Sequence, residues 1–151
     1  MLSQRAKYAI RAMQVLARLD AGVTLQAGEL STQIKAPLHF LEGILMELRR
    51  EGLLQSKRGR SGGYCLAKPA DLISMADLIR LMDGPLALAP CASRTAYERC
   101  SDCPTPDDCE LRHILVAARD AMARVLEDAT LGGGAPAPLG EAQTQKDTQA
   151  A

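Results

Sequence analysis

Two stretches of helical periodicity, Leu25 to Ile34 and Leu38 to Glu51, are separated only by Lys35-Ala36-Pro37. Proline in the first turn of a helix wastes no hydrogen bond, so Pro37 marks a tight break and the start of a new helix. The apolar residues Leu38, Leu41, Ile44, Leu45 and Leu48 then recur on one helical face, and Gly52 stands where a C-terminal glycine cap is expected. Helix, brief turn and second helix make a helix-turn-helix arrangement. Directly behind it, Leu53-Leu54-Gln55-Ser56-Lys57 and Tyr64-Cys65-Leu66-Ala67 flank the turn Arg58-Gly59-Arg60-Ser61-Gly62-Gly63. Two short apolar-polar runs around such a turn predict a β-hairpin, and a hairpin after a recognition helix is a wing. Its glycines let backbone approach a phosphate, and arginines at its tip can enter a narrow minor groove. A nucleotide-binding P-loop is excluded, because no Lys-Ser or Lys-Thr follows Gly62-Gly63 and no helix opens there.

The rest of the chain is helical in pattern. Ser3 to Leu19 reads as an amphipathic helix with Ser3 as N-cap and Asp20-Ala21-Gly22 as its stop. Ser74 to Met82 reads as a shorter one stopped by Asp83-Gly84-Pro85, and residues 86–107 as a loop. From Leu111 to Ala129 a single apolar stripe (Ile114, Leu115, Ala118, Met122, Val125, Leu126) predicts a long helix that faces a partner helix or the core. Aromatics are 3% of the residues, with no Trp and one Phe, so the core is expected from Leu, Ile, Val, Ala and Met. The expected class is mainly α with a small β-hairpin wing. A winged helix-turn-helix region spans 1–70, a linker helix, cysteine loop and long helix span 71–131, and a Gly-, Ala-, Pro- and Gln-rich tail spans 132–151, expected to be disordered. No window approaches the 18 apolar residues of a membrane span, and the start lacks a signal-peptide core, so a cytoplasmic protein is expected.

Equal numbers of acidic and basic residues, 18 of each, conceal a polar chain. Residues 1–70 hold eleven Lys and Arg against five Asp and Glu, a net of +6, and residues 71–151 carry a net of −6. The basic density peaks at Arg49, Arg50, Lys57, Arg58 and Arg60, which face only Glu51, as expected where a surface meets phosphates.

The acidic half carries Cys91, Cys100, Cys103 and Cys109 within nineteen positions, and Cys65 stands apart in the hairpin. Clustered thiols in a cytoplasmic protein point to metal, iron-sulfur or redox chemistry. The spacing supplies one Cys-x2-Cys pair, where a structural zinc site ideally has two. Iron-sulfur ligation tolerates irregular spacing and a non-thiolate ligand, for which His113 offers itself four residues beyond Cys109. Cys65 reads as packing. A thiol oxidoreductase built on Cys100-x2-Cys103 is excluded, because Pro104-Thr105-Pro106 denies it the helix N-terminus that lowers a thiol pKa. With two histidines and no recognisable triad, nothing presents an active site, and no enzyme is expected.

The start Leu2-Ser3-Gln4-Arg5-Ala6-Lys7-Tyr8-Ala9-Ile10-Arg11-Ala12-Met13, the stretches Phe40-Leu41-Glu42 and Leu48-Arg49-Arg50-Glu51-Gly52-Leu53-Leu54, the wing Arg58-Gly59-Arg60-Ser61-Gly62-Gly63-Tyr64, Leu78-Ile79 with Met82-Asp83, and Leu126 to Leu131 resemble the Rrf2 family of bacterial winged-helix regulators. That family includes IscR-, NsrR-, RirA- and CymR-type proteins. The resemblance covers residues 1–131 and implies a homodimeric regulator, read here as a repressor, paired through the long helix on palindromic double-stranded DNA. By position it assigns His39, Phe40 and Glu42 to the start of the reading helix and Arg58 and Gly59 to the wing tip. It also implies an iron-sulfur cluster (2Fe-2S or 4Fe-4S) on Cys91, Cys103 and Cys109. The chain departs from the pattern in its extra Cys100, in Arg112 where IscR-type proteins have a ligand histidine, and in Lys7-Tyr8 where NsrR-type proteins have a carboxylate. Cys100 is the first choice of fourth ligand. The alternatives are zinc at the same cysteines, or a thiol switch such as Cys100 with Cys103.

Overall fold

The computed structural model describes residues 2–59, 62–103 and 105–133. Its elements are α1 (Gln4–Leu16), α2 (Ala27–Ile34), α3 (Leu38–Arg50), β1 (Leu54–Lys57), β2 (Gly63–Leu66), α4 (Met75–Asp83) and α5 (Glu110–Asp128), with 3-10 turns at Ala70–Leu72, Pro90–Ala92 and Pro106–Asp108. Helices with one two-stranded antiparallel hairpin are the expected class. Residues 134–151, most of the expected tail, lie outside the described residues.

Local chemistry explains the boundaries. The Ser3 hydroxyl accepts from the Ala6 amide at 3.0 Å and starts α1 as expected. The helix ends at Leu16 rather than Leu19, because the Arg18 and Leu19 amides donate three residues back, to Val15 and Leu16, and tighten the last turn. The second helix starts two residues after Leu25, since Leu25 is extended and exchanges backbone hydrogen bonds with Tyr64 of the wing at 3.0 and 2.8 Å. Lys35 takes the left-handed conformation at φ 53°, and the Ala36 amide donates to Ser31 at 3.1 Å, which turns the chain sharply into α3. Gly52, at φ +70°, ends α3: its amide donates to Arg49 and the Leu53 amide to Leu48, a paired closure that a side chain at position 52 would strain.

The core lies among α1, α2, α3 and α4. Ala6, Ala9 and Ala12 are fully buried, so the α1 backbone comes close to its neighbours, and Met13, Leu30, Leu41, Leu45, Leu48, Leu54, Ile73 and Leu78 fill the space. No aromatic side chain is fully buried; Tyr8 and Tyr64 pack at the edge. The first turn of α1 is fastened to the end of α4, where the Ser3 amide donates to Asp83 at 2.8 Å, and Arg5 pairs with Glu47 of α3.

Helix α5 lies outside this core. Its C-terminal end is tied back by the Met75 amide to Ala129 at 2.8 Å, the Leu131 amide to Ile73 at 3.0 Å, and the Arg80–Glu127 ion pair. None of its nineteen residues is buried, and Leu111 and Ile114 are 62% and 65% exposed. An apolar stripe left uncovered on a helix this long marks an interaction surface.

Candidate nucleic-acid interface and cysteine cleft

The buried face of α3, Leu41, Ile44, Leu45 and Leu48, turns the opposite face outward. His39, Phe40, Glu42 and Gly43 are exposed at its start, and Met46 one turn on. Phe40 is held by the Tyr8 ring, edge-on at 6.1 Å and 75°. At the other end of α3, Arg49 donates to the Ser56 hydroxyl of β1 at 3.2 Å, and Arg50 pairs with Glu51 at 3.3 Å on an exposed surface, where such pairs contribute little. Arg49 therefore borders the wing.

In the hairpin Leu54 pairs with Leu66 and Lys57 with Gly63. Lys57 donates to the Gly22 carbonyl at 3.2 Å, so its ammonium braces the α1–α2 loop as well as carrying charge. Arg58 and Gly59 are exposed at the turn, Gly59 at φ +112°. Arg60, the remaining expected wing contact, lies outside the described residues with Ser61. A Cβ on Gly63 would stand 2.5 Å from the Leu25 carbonyl oxygen and 2.6 Å from its carbon. Sequence reading gave this glycine to phosphate approach in general; the structure shows the backbone it approaches is the chain's own. The signal was the pairing of Leu25 with the wing, which hydrophobic periodicity had assigned to a helix.

The four cysteines of the acidic half meet at one place. Cys91, buried in the Pro90–Ala92 turn, exposed Cys100, and half-buried Cys103 and Cys109 all line a cleft of about 380 Å³ between the loop and the start of α5. Leu111, Arg112 and Leu115 close its helical side. Among the described residues no three His, Cys, Asp or Glu side chains converge on a single-ion position.

His113 does not line this cleft; it is exposed, and Arg112 takes the place beside the cysteines. The expected shared face fails because Cys109, at φ −84° and ψ 102°, is the non-helical residue before α5, so helical four-residue spacing does not relate the two side chains. Cys65 lines a different cleft, beside Leu16, Leu66 and Ala70.

Arginines fix the loop. Arg112 donates to the Cys91 carbonyl at 3.1 Å and lies over the Tyr97 ring at 5.8 Å, and Arg119 donates to the Ala92 carbonyl. Arg99 donates twice to the Cys103 carbonyl, at 3.2 and 2.8 Å. The hydrogen bond from Arg119 holds the Asp120 carboxyl below its usual range, with Arg94 adding to the effect from 3.1 Å. The Cys100 thiol is pushed above its ordinary value, first by its hydrogen bond to the Cys91 thiol, then by the charge of Cys91, desolvation, Asp102 and Cys103.

Comparison with known proteins agrees with this architecture. Residues 2–133 match the Rrf2 family, described as an iron-dependent transcriptional regulator. An rrf2-like HTH-type transcriptional regulator of Rhodobacter capsulatus is 43% identical over 117 residues, covering 76% of this chain and 78% of that one. The HTH-type transcriptional regulator NMA1593 of Neisseria meningitidis is 32% identical over 106 residues, 70% and 72% of the two chains. CymR, the global cysteine regulator of B. subtilis, superposes with a TM-score of 0.71 at 28% identity over 87% and 92% of the chains. T. potens IscR shares the fold, with a TM-score of 0.68 at 23% identity over 87% and 83% of the chains. A helix-turn-helix followed by a glycine-pinned wing, beside a cysteine-lined loop and an uncovered helix, is accounted for by this kinship: the chain belongs to the Rrf2 family of DNA-binding transcriptional regulators.

Proposed function

We propose that the chain acts in the cytoplasm as a homodimeric repressor on palindromic DNA, its affinity set by an iron-sulfur cluster held by Cys91, Cys103 and Cys109, with Cys100 as fourth ligand. The observation that carries this reading is that four thiols, one of them buried and distant in sequence, line one cleft. The donor set fits: soft thiolates suit iron-sulfur clusters, and a cluster presents several irons, so its ligands need not converge on one point. A structural zinc site ideally takes two Cys-x2-Cys pairs and the chain has one, so the cluster is preferred. When bound, the cluster supplies a site sensitive to redox state and to loss of iron.

The chain's own residues do the rest. Arg112 and Arg119 grip the carbonyls of Cys91 and Ala92, so reordering of the loop reaches α5. The exposed stripe of α5 pairs with the same stripe on a second copy, as an isologous dimer requires. From α5 the path runs through residues 73–75 to α4, from Asp83 to the first turn of α1, and from Arg5 to Glu47 on the reading helix. Small displacements at the loop then become rigid-body shifts of the two reading helices. His39, Phe40 and Glu42 meet base edges in the major groove, Arg58 and Arg60 enter the adjacent minor groove near Gly59, and Arg49, Arg50 and Lys57 meet phosphates.

Cys103→Ser is expected to lose the iron and the visible absorption bands while the winged helix stays folded, read by iron assay and circular dichroism after anaerobic purification. Wild-type iron content in this variant would remove Cys103 from the ligand set. Arg58→Ala is expected to weaken operator binding by about 1 to 3 kcal/mol, and a change in salt slope alone would make Arg58 a phosphate contact instead.

A second reading, oxidation of thiols, is favoured by an exposed Cys100 that lines the same cleft as Cys91, Cys103 and Cys109. Two of these thiols give up two protons and two electrons to a peroxide, which leaves reduced as water or alcohol, and the sulfurs join. Peptide mapping of peroxide-treated apoprotein tests it, with a Cys100–Cys103 link expected.

A further inference from the structure

We propose a second phosphate-binding surface, a groove between α1 and α2 where Arg11, Arg18 and Lys35 engage the DNA backbone outside the bases read by α3. This rests on the DNA-binding reading above and extends its footprint. The groove encloses about 330 Å³ and is lined by the three cations with Gln14 and Gln33 between them. Arg11 projects from α1, and Arg18 from the tightened turn that follows its C-cap Ala17, so both reach the same groove.

Two features point to an anionic strand as occupant. The first is that the cations are uncompensated. Arg5, Arg80, Arg94 and Arg119 each pair with a carboxylate, whereas no ion pair or hydrogen bond engages the side chains of Arg11, Arg18 or Lys35 among the described residues. Three cations sharing a groove repel one another unless a polyanion arrives, and Gln14 and Gln33 add neutral donors suited to phosphate oxygens.

The second feature is continuity with the reading helix. Tyr8 packs against Phe40 at the start of α3, and Arg11 follows one turn later on the same stripe of α1. Lys35 occupies the left-handed turn two residues before Pro37, at the mouth of that helix. The groove therefore begins where base reading begins, and a backbone leaving the major groove at the α3 N-terminus meets it. Phosphate contacts of this kind set register and affinity without reading sequence.

The test needs no knowledge of the operator. Binding of a mixed-sequence 40-base-pair duplex to the full chain is measured by anisotropy at several salt concentrations, for wild type, Arg11→Gln with Arg18→Gln, and Arg124→Gln as a control on α5. Each phosphate contact contributes about 0.9 to the slope of log affinity against log salt. The double variant is expected to lower the slope by about 1 to 2, with unchanged thermal unfolding, and the control to leave it unchanged. An unaltered slope in the double variant overturns the proposal, including the case in which the groove serves an acidic protein. Failure of wild type to bind the duplex at low salt would instead count against the DNA-binding reading itself.

Discussion

Leu45→Ala is expected to lower the free energy of unfolding by about 2 to 5 kcal/mol, the range for truncating a fully buried leucine that its surroundings cannot replace. Leu45 is fully buried on α3, within the cluster shared by α1, α2 and α4. The alanines that bring α1 close, Ala6, Ala9 and Ala12, have no longer side chain to swing into the space. Urea unfolding is compared at one fixed protein concentration, so that self-association contributes equally to both measurements. A loss below about 1 kcal/mol would mean the core collapses around the vacancy, and that the backbone of α3 is less firmly placed than its packing indicates.

The second large effect is expected from Gly63→Ala. The new methyl group meets Leu25 backbone at 2.5 Å, an approach that no rotamer change relieves. Relief requires parting Leu25 from Tyr64 and losing the two hydrogen bonds between them, about 2 kcal/mol at the usual net value of 1 kcal/mol each. Lys57 pairs with Gly63 and braces Gly22, so the same displacement moves the wing base and weakens DNA binding beyond the loss of stability. Hydrogen exchange at the Leu25 and Tyr64 amides separates these effects: both amides are expected to lose protection while those of α3 keep theirs.

These two positions show how the sequence conveyed the fold. Leu45 was legible as core because its spacing from Leu41 and Leu48 is that of one helical face, a local pattern that tertiary packing only had to accept. Pro37 and Gly52 were legible because each restricts its own backbone. Leu25 was misassigned because its partner, Tyr64, is 39 residues away, and no periodicity encodes a single bridge. The same reason governs the cleft. Cysteine spacing identified the thiols but not that Cys91 would line one cleft with the other three, and helical spacing drew in His113 although Cys109 stands outside the helix. The grip of Arg112 and Arg119 on the loop carbonyls left no trace in a pattern of residue types.

The central claim is that the thiols lining this cleft govern DNA affinity through a bound iron-sulfur cluster. The direct measurement takes anaerobically purified protein, determines iron per chain and the visible spectrum, and follows affinity for a duplex selected from random sequence as the cluster is removed and restored. The account predicts a coloured, iron-bearing protein whose affinity shifts at least tenfold on cluster loss and returns on reconstitution. A protein that stays colourless and takes up no iron, or one whose affinity is the same with the cluster and without it, would contradict it.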